Sequence, residues 1–234
     1  MLKFSTLDST NAEALRSGAP PGHVYIAETQ TKGRGRHGRV WHSRPGNLHM
    51  TLCAVVPGNR APGQLAFVAG LSAFDAISEL APSLSFSLKW PNDILINGKK
   101  IAGILIEAAE DDKYVVGIGI NLRFSPRSVE MRYPTTDLMA ESGIECTTDQ
   151  CAEEVCVHFE RWFGRWLAEG FQPLRAVWLA SGNDVGEIIR VSNNKTLIEG
   201  IFEGLNDDGA LLLKDAEGVC QVITTGDVMF PMKD

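Results

Sequence analysis

"QTKGRGRHGRVW", Gln30 to Trp41, places three glycines and four basic side chains (Lys32, Arg34, Arg36 and Arg39) in twelve residues. Gly33-x-Gly35-x-x-Gly38 matches the glycine fingerprint of doubly wound dinucleotide-binding folds. In those folds the fingerprint opens a helix, and an acidic residue follows about 20 positions later. Here "RVWHSRPGN" follows, Pro45 and Gly46 oppose a helix, and the next acid is Asp75. A GxxxxGK[ST] phosphate loop is also absent. The stretch therefore reads as a loop between strands, and its arginines rather than a helix dipole supply the charge.

The flanks agree. "HVYIAE" before the loop and "NLHMTLCAVV" after it read as strands. Between Glu28 and Asp75 there is no acidic residue, while Lys32, Arg34, Arg36, Arg39, Arg44 and Arg60 fall there, in a chain of 234 residues with net charge −7. A local cationic site in an acidic body argues against general nucleic-acid binding, which needs a broad basic face. It suits a small anionic ligand, because guanidinium groups bind carboxylate and phosphate oxygens in bidentate geometry. The glycines allow tight wrapping. Such a loop is expected to order when filled.

A second cluster lies in "KWPNDILINGKKIAGILIE", Lys89 to Glu107. Asn97-Gly98 signals a two-residue hairpin turn. The register then sets Ile96 opposite Lys99, Leu95 opposite Lys100 and Asp93 opposite Ala102. Alternation puts Asp93, Leu95 and Lys100 on one face and Lys99 on the other. Lys100 is therefore the better candidate for a lysine held by an acid beside a site, with Lys89 as another. "GIGINL", Gly117 to Leu122, is a strand with small alternate residues, which lets a flat ligand approach the backbone. Asn121 is placed to read a base or ribose.

Elsewhere, "STNAEALRSG" predicts a short helix from about Thr10, with a Thr10-x-x-Glu13 capping box and Gly18 as its stop. Residues 62–80 and 148–168 and "FQPLRAVWLA" predict further helices, with residues 123–147 as a loop region. "LSFSLKW" and "KYVVGIGI" add strands. Beyond a boundary near Asn183, short alternating stretches predict a small barrel-like β module. This divides the chain into 1–182 and 183–234. No apolar run approaches the ~20 residues of a membrane span, and the N-terminus lacks a signal-peptide core. The five cysteines form no CxxC, which fits reduced thiols in the cytoplasm. His158 lies near Cys151 and Cys156, but a helix there reads as core packing, not a zinc site, and no metal-ligating residues are assigned.

Taken in order, "DSTNAEA", "ETQTKGRGRHGRVWHS", "PGNLHMT", "KWPNDILINGKKIAGILIE", "GIGINL" and "GLNDDGALLLKD" resemble the biotin protein ligase family across nearly the whole chain. The resemblance is to the shorter class without an N-terminal DNA-binding module. It implies an α+β fold: a class II aminoacyl-tRNA synthetase-like mixed, largely antiparallel sheet with helices, plus a C-terminal SH3-like barrel. It implies formation of biotinyl-5′-AMP from biotin and ATP with Mg²⁺, then transfer to a lysine of a biotin carboxyl carrier domain. DNA and membrane are not expected as partners, and a monomer or homodimer is expected. The matched positions assign Lys100 and Arg36 to catalysis. They assign Ser9, Thr10, Asn11, Gln30, Gly33, Arg34, Gly35, Arg36 and Lys100 to biotin. Arg34, Arg39, Trp41, Lys89, Asn92, Asp93 and Asn121 fall to ATP. Asp93 is left to orient either Lys100 or the incoming amine. His37 sits where some members carry another arginine. The nearest competing reading is a lipoate or octanoate ligase of the same fold. A reading from another class is a nucleic-acid-binding protein using the arginine loop.

Overall fold

The computed structural model describes residues 1–126, 134–182, 185–193 and 196–229. The boundary expected near Asn183 lies outside them. In chain order the elements are β1 (Leu2–Leu7), α1 (Thr10–Arg16), β2 (Val24–Gln30), β3 (Leu48–Val55), α2 (Leu65–Leu80), β4 (Phe86–Lys89), β5 (Asp93–Ile96), β6 (Lys99–Ala108) and β7 (Lys113–Ile120). Then come α3 (Leu138–Ser142), α4 (Thr148–Glu169), α5 (Gln172–Ala180), β8 (Ile188–Asn193), β9 (Thr196–Leu205), β10 (Leu211–Lys214), β11 (Cys220–Ile223) and β12 (Asp227–Met229).

β1 to β7 form one sheet in the order β1-β2-β3-β7-β6-β5-β4. Only β1 and β2 are parallel, joined over α1; the other neighbours are antiparallel. The fold is thus α+β with a mixed, largely antiparallel sheet. The C-terminal SH3-like part is a five-stranded antiparallel sheet, ordered β11-β10-β9-β8-β12.

Alternation divides the large sheet into two working faces. Leu48, Met50, Leu52, Ile94, Ile96, Ile104, Ile118 and Ile120 turn to one side and join the main core with Leu71 and Ile77 of α2 and Phe159 and Trp166 of α4. The other side carries α1 and the candidate site. The C-terminal sheet is tied to the first by Trp90, whose Nε1 donates to Gly209 O at 2.9 Å, and by Gln64, whose Nε2 donates to Asp207 O at 2.7 Å.

Several local expectations need correction. Ser9, not Thr10, caps α1, accepting from Ala12 N, because Thr10 already lies in the helix and turns its hydroxyl to Gln30. The Asn97-Gly98 turn forms with φ of 50° and 71°, as a type I′ hairpin requires. The register is Ile96 to Lys99 and Leu95 to Lys100, but a bulge between Ile94 and Leu95 slips Asp93 to Gly103 rather than Ala102. β1, α3 and β12 were not anticipated.

Candidate active site

A cavity of about 610 Å³ opens on the face of the sheet opposite α2 and α4. Its floor is β6 and β7, where small residues replace the bulk of a normal strand. Gly103, Gly117 and Gly119 point into it. A Cβ on Gly119 would collide with the Trp41 ring, and one on Gly117 would lie 2.6 Å from Asn11 Oδ1. The flat group lying on the "GIGINL" strand is therefore the Trp41 indole, delivered by the basic loop.

One end of the cavity is neutral and polar. The N-terminus of α1 inserts Ser9, Thr10 and Asn11, all buried, beside Gln30 at the end of β2. Gln30 Oε1 accepts from Thr10 N at 2.9 Å, and its Nε2 donates to Ser43 Oγ at 3.0 Å. Thr51 Oγ1 lies 2.6 Å from Asn11 Oδ1 and 2.8 Å from Thr10 Oγ1. Asn11 Nδ2 donates to Glu107 Oε2 at 2.8 Å. The constellation offers fixed amide and hydroxyl groups in an apolar surround, which suits a small neutral polar ring.

The other end is charged. Lys100 Nζ is 2.5 Å from Asp93 Oδ1 and 5.6 Å from the Trp41 ring centroid. Lys99 turns away to Glu141 Oε1 at 2.9 Å. The loop arginines reach in from above, around a tight turn at Arg36–Gly38. Arg36 Nη1 donates to Asn92 Oδ1 at 3.2 Å and Gly226 O at 3.3 Å, and Nη2 to Thr225 Oγ1 at 3.1 Å. Burial lowers its pKa, but a guanidinium remains charged. Arg39 Nη2 donates to both Asp227 carboxylate oxygens at 2.9 and 3.0 Å, and Arg34 pairs with Glu107 at 3.0 Å. Asn92 Nδ2 is fixed on Ile104 O at 2.7 Å, and Asn121 Nδ2 on Thr136 O at 3.0 Å.

Of the residues singled out from sequence, Ser9, Thr10, Asn11, Gln30, Arg34, Gly35, Arg36, Arg39, Trp41, Asn92, Asp93, Lys100 and Asn121 line this one cavity. Gly33 and Lys89 are not among its lining. Gly33 O accepts from Trp41 N at 2.9 Å and closes the base of the loop. Lys89 is buried opposite Asp93 on β4, and burial pulls its pKa down to about 8. His37 is exposed at the loop tip with φ 56°.

The residues that sequence reasoning missed are mostly the partners. His49 and Thr51 sit at alternate positions of an otherwise apolar strand, and that polar alternation was a usable signal. His49 is buried, and burial lowers its pKa to about 4. A neutral ring fits its contacts, with Nδ1 accepting from Trp41 Nε1 and Nε2 near Arg44 O, both at 3.4 Å. It thus steadies the returning arm of the basic loop. Asp227, Thr225 and Glu107 had no local signal: Asp227 is 188 positions from Arg39.

Residues 3–125 match the Biotin/lipoate A/B protein ligase family, and residues 185–230 match the Biotin protein ligase C terminal domain. The chain is 37% identical to a biotin--[acetyl-CoA-carboxylase] ligase of Paracoccus denitrificans, over 95% of this chain and 97% of that one. It is 33% identical to the bifunctional ligase/repressor BirA of Bacillus subtilis, over 94% of this chain and 70% of that protein. The structure of the Aquifex aeolicus biotin protein ligase in complex with biotin and ATP superposes with a TM-score of 0.86 at 28% identity, covering 97% of each chain.

Proposed function

The chain belongs to the biotin/lipoate A/B protein ligase family, and on that premise we propose that it activates biotin with ATP as biotinyl-5′-AMP and transfers the biotinyl group to one lysine of a carboxylase's biotin carrier domain. The observation that carries this reading is the convergence of Lys100, Arg36 and Arg39 on the same cavity as the neutral Ser9, Thr10, Asn11 and Gln30 end. The cavity's polarity matches a ligand with a ureido ring at one end and a carboxylate at the other.

In the first step a biotin carboxylate oxygen attacks the α-phosphorus, the bond to the β-phosphate oxygen breaks, and pyrophosphate leaves. The reacting groups are both anionic and repel. Lys100 sits where it can bridge carboxylate and α-phosphate, with Asp93 fixing its ammonium at 2.5 Å. Charge that grows on the phosphorus oxygens is then met by a preset donor. Arg36 closes over the adenylate, and Arg39 faces phosphate. Trp41, pressed on Gly119, covers the mixed anhydride from water. In the second step the carrier amine, after losing a proton, attacks the acyl carbon, and the carbon–oxygen bond to AMP breaks.

Mg²⁺ fits this donor set as a companion of the phosphates. The carboxylates lining the cavity are Asp93 and Asp227, each held by a cation. The described residues group no cation cage there, so phosphate and water oxygens would supply most of its ligands. The ion would supply charge neutralisation on the triphosphate.

The reading divides the chain at about residue 183 into a ligase unit and a smaller unit that holds the arginine loop through Asp227. It leaves DNA outside the partners, because the loop arginines are committed to Glu107, Asn92 and Asp227 rather than forming an outward basic face. No described helix is long and apolar enough to cross a membrane; with five free thiols, the cytoplasm is the proposed compartment. Labelled biotin and labelled lipoate offered separately with ATP and a carrier domain test the assignment. Biotin should become covalently attached with release of pyrophosphate and AMP; attachment of lipoate alone would overturn it.

A further inference from the structure

On the opposite face from the active site, α2 and α4 bring Glu79, Glu154 and His158 together. Glu154 and His158 are one turn apart on α4 and so share a face; Glu79 comes from the end of α2. One ligand atom from each lies within 4.8 Å of the others. His158 is 3% exposed, yet neither ring nitrogen has a hydrogen-bond partner, alone among buried side-chain polar atoms of the described residues. A buried polar group with no partner costs free energy and calls for an explanation.

We propose that Glu79, Glu154 and His158 form a site for a Zn²⁺-class divalent cation that links α2 to α4. His158 Nε2 lies 3.3 Å from Glu79 Oε1 without a hydrogen bond between them. Two ligands about 2.0 Å from a tetrahedral zinc ion are themselves roughly 3.3 Å apart, so this pair already has a ligand-to-ligand spacing. The ring's other nitrogen, Nδ1, faces Asp75 Oδ2 at 3.9 Å. That is the side on which a metal-bound histidine usually finds an orienting carboxylate. Asp75 is itself anchored by Trp162 Nε1 at 2.7 Å and by Arg161. Glu79 is largely exposed, so the ion enters from solvent and keeps its fourth position open to water. The proposal departs from the sequence reading of His158 as core packing with no zinc site. The site touches no residue of the ligase cavity, and its consequence is stability of the helical layer rather than chemistry.

Titration of the whole protein with ZnCl₂, without biotin, ATP or Mg²⁺, tests this by calorimetry and by melting temperature. One ion per chain should bind, and saturation at about 100 times the dissociation constant should raise Tm by roughly 5–10 °C. Glu79→Gln and Glu154→Gln each remove one ligand without touching the buried ring, and each should weaken binding by at least about tenfold. Cys220→Ser, which removes an exposed thiol, should leave binding unchanged. The site is overturned if no saturable binding occurs, if both glutamine variants bind as wild type does, or if Cys220→Ser abolishes binding.

Discussion

Lys100→Ala removes the ammonium that lies 2.5 Å from Asp93 and leaves the rest of the charged end in place. Asp93 keeps Arg36 and Lys89 as charged neighbours, so the carboxylate is not stranded. The pair is also partly solvated, with side-chain exposures of 21% and 13%. The expected cost in stability is therefore only about 1–3 kcal/mol. The cost to chemistry is larger, because in the proposed mechanism Lys100 is the donor that bridges the carboxylate and the α-phosphate. A preset donor at developing charge accounts for about 10²–10³ in rate, or roughly 3–4 kcal/mol of barrier. Single-turnover formation of biotinyl adenylate, quenched and separated from labelled biotin, reads the first step alone. Lys99→Ala is the control: its amine is on the other face with Glu141, and its rate should stay within about twofold of wild type. A Lys100→Ala rate within about threefold of wild type, in protein with a native melting curve, would refute the assignment of Lys100 as the transition-state donor.

Asp227→Ala frees Arg39 from its carboxylate partner; the loop should hold the adenylate less well, giving faster dissociation of the preformed intermediate in a chase with unlabelled biotin. Asn11→Ala removes one partner each from Thr51 and Glu107, which keep Thr10 and Arg34, and takes a buried amide out of the neutral end; it should raise the KM for biotin by about 10- to 100-fold with kcat nearly unchanged. Gly119→Ala drives a methyl into Trp41 and should weaken ATP binding at least about tenfold by calorimetry. For His49, the folded pKa of about 4 lies below the ordinary 6.5, so the fold resists protonation. Its contribution is fully present above pH 6.5 and is lost as pH falls towards 4. The loss is up to about 3 kcal/mol; denaturant melts of wild type and His49→Gln should converge across that window.

Much of the fold and half of the site's logic were legible in the sequence, for reasons that differ by element. The Asn97-Gly98 turn fixes its own register, and a register fixes faces, so the sequence alone separates Lys100 from Lys99. The slip at Ile94 and Leu95 could not be foreseen, because a bulge there needs no glycine. β1 escaped notice because it is a half-exposed edge strand with weak alternation, and its partner is parallel and reached only over α1. The glycines of "GIGINL" signalled close approach, but not that the approaching group is Trp41 of the same chain. Long-range ion pairs leave no trace in local pattern at all. Glu107 and Asp227 lie 73 and 188 positions from the arginines they hold.

Those pairs also answer why an acidic chain carries so basic a loop. Arg34, Arg39 and Lys100 point inward at short range, and each is matched by a carboxylate contributed from another part of the fold: Glu107, Asp227 and Asp93. Left alone, such cations would splay the loop into solvent. With the carboxylates in place, the closed arrangement carries little net charge before a ligand enters. A phosphate or carboxylate that enters meets cations already fixed by these carboxylates rather than a loop it must first order. Two of these acids, Asp93 and Asp227, line the cavity themselves and hold Lys100 and Arg39 in place for a ligand.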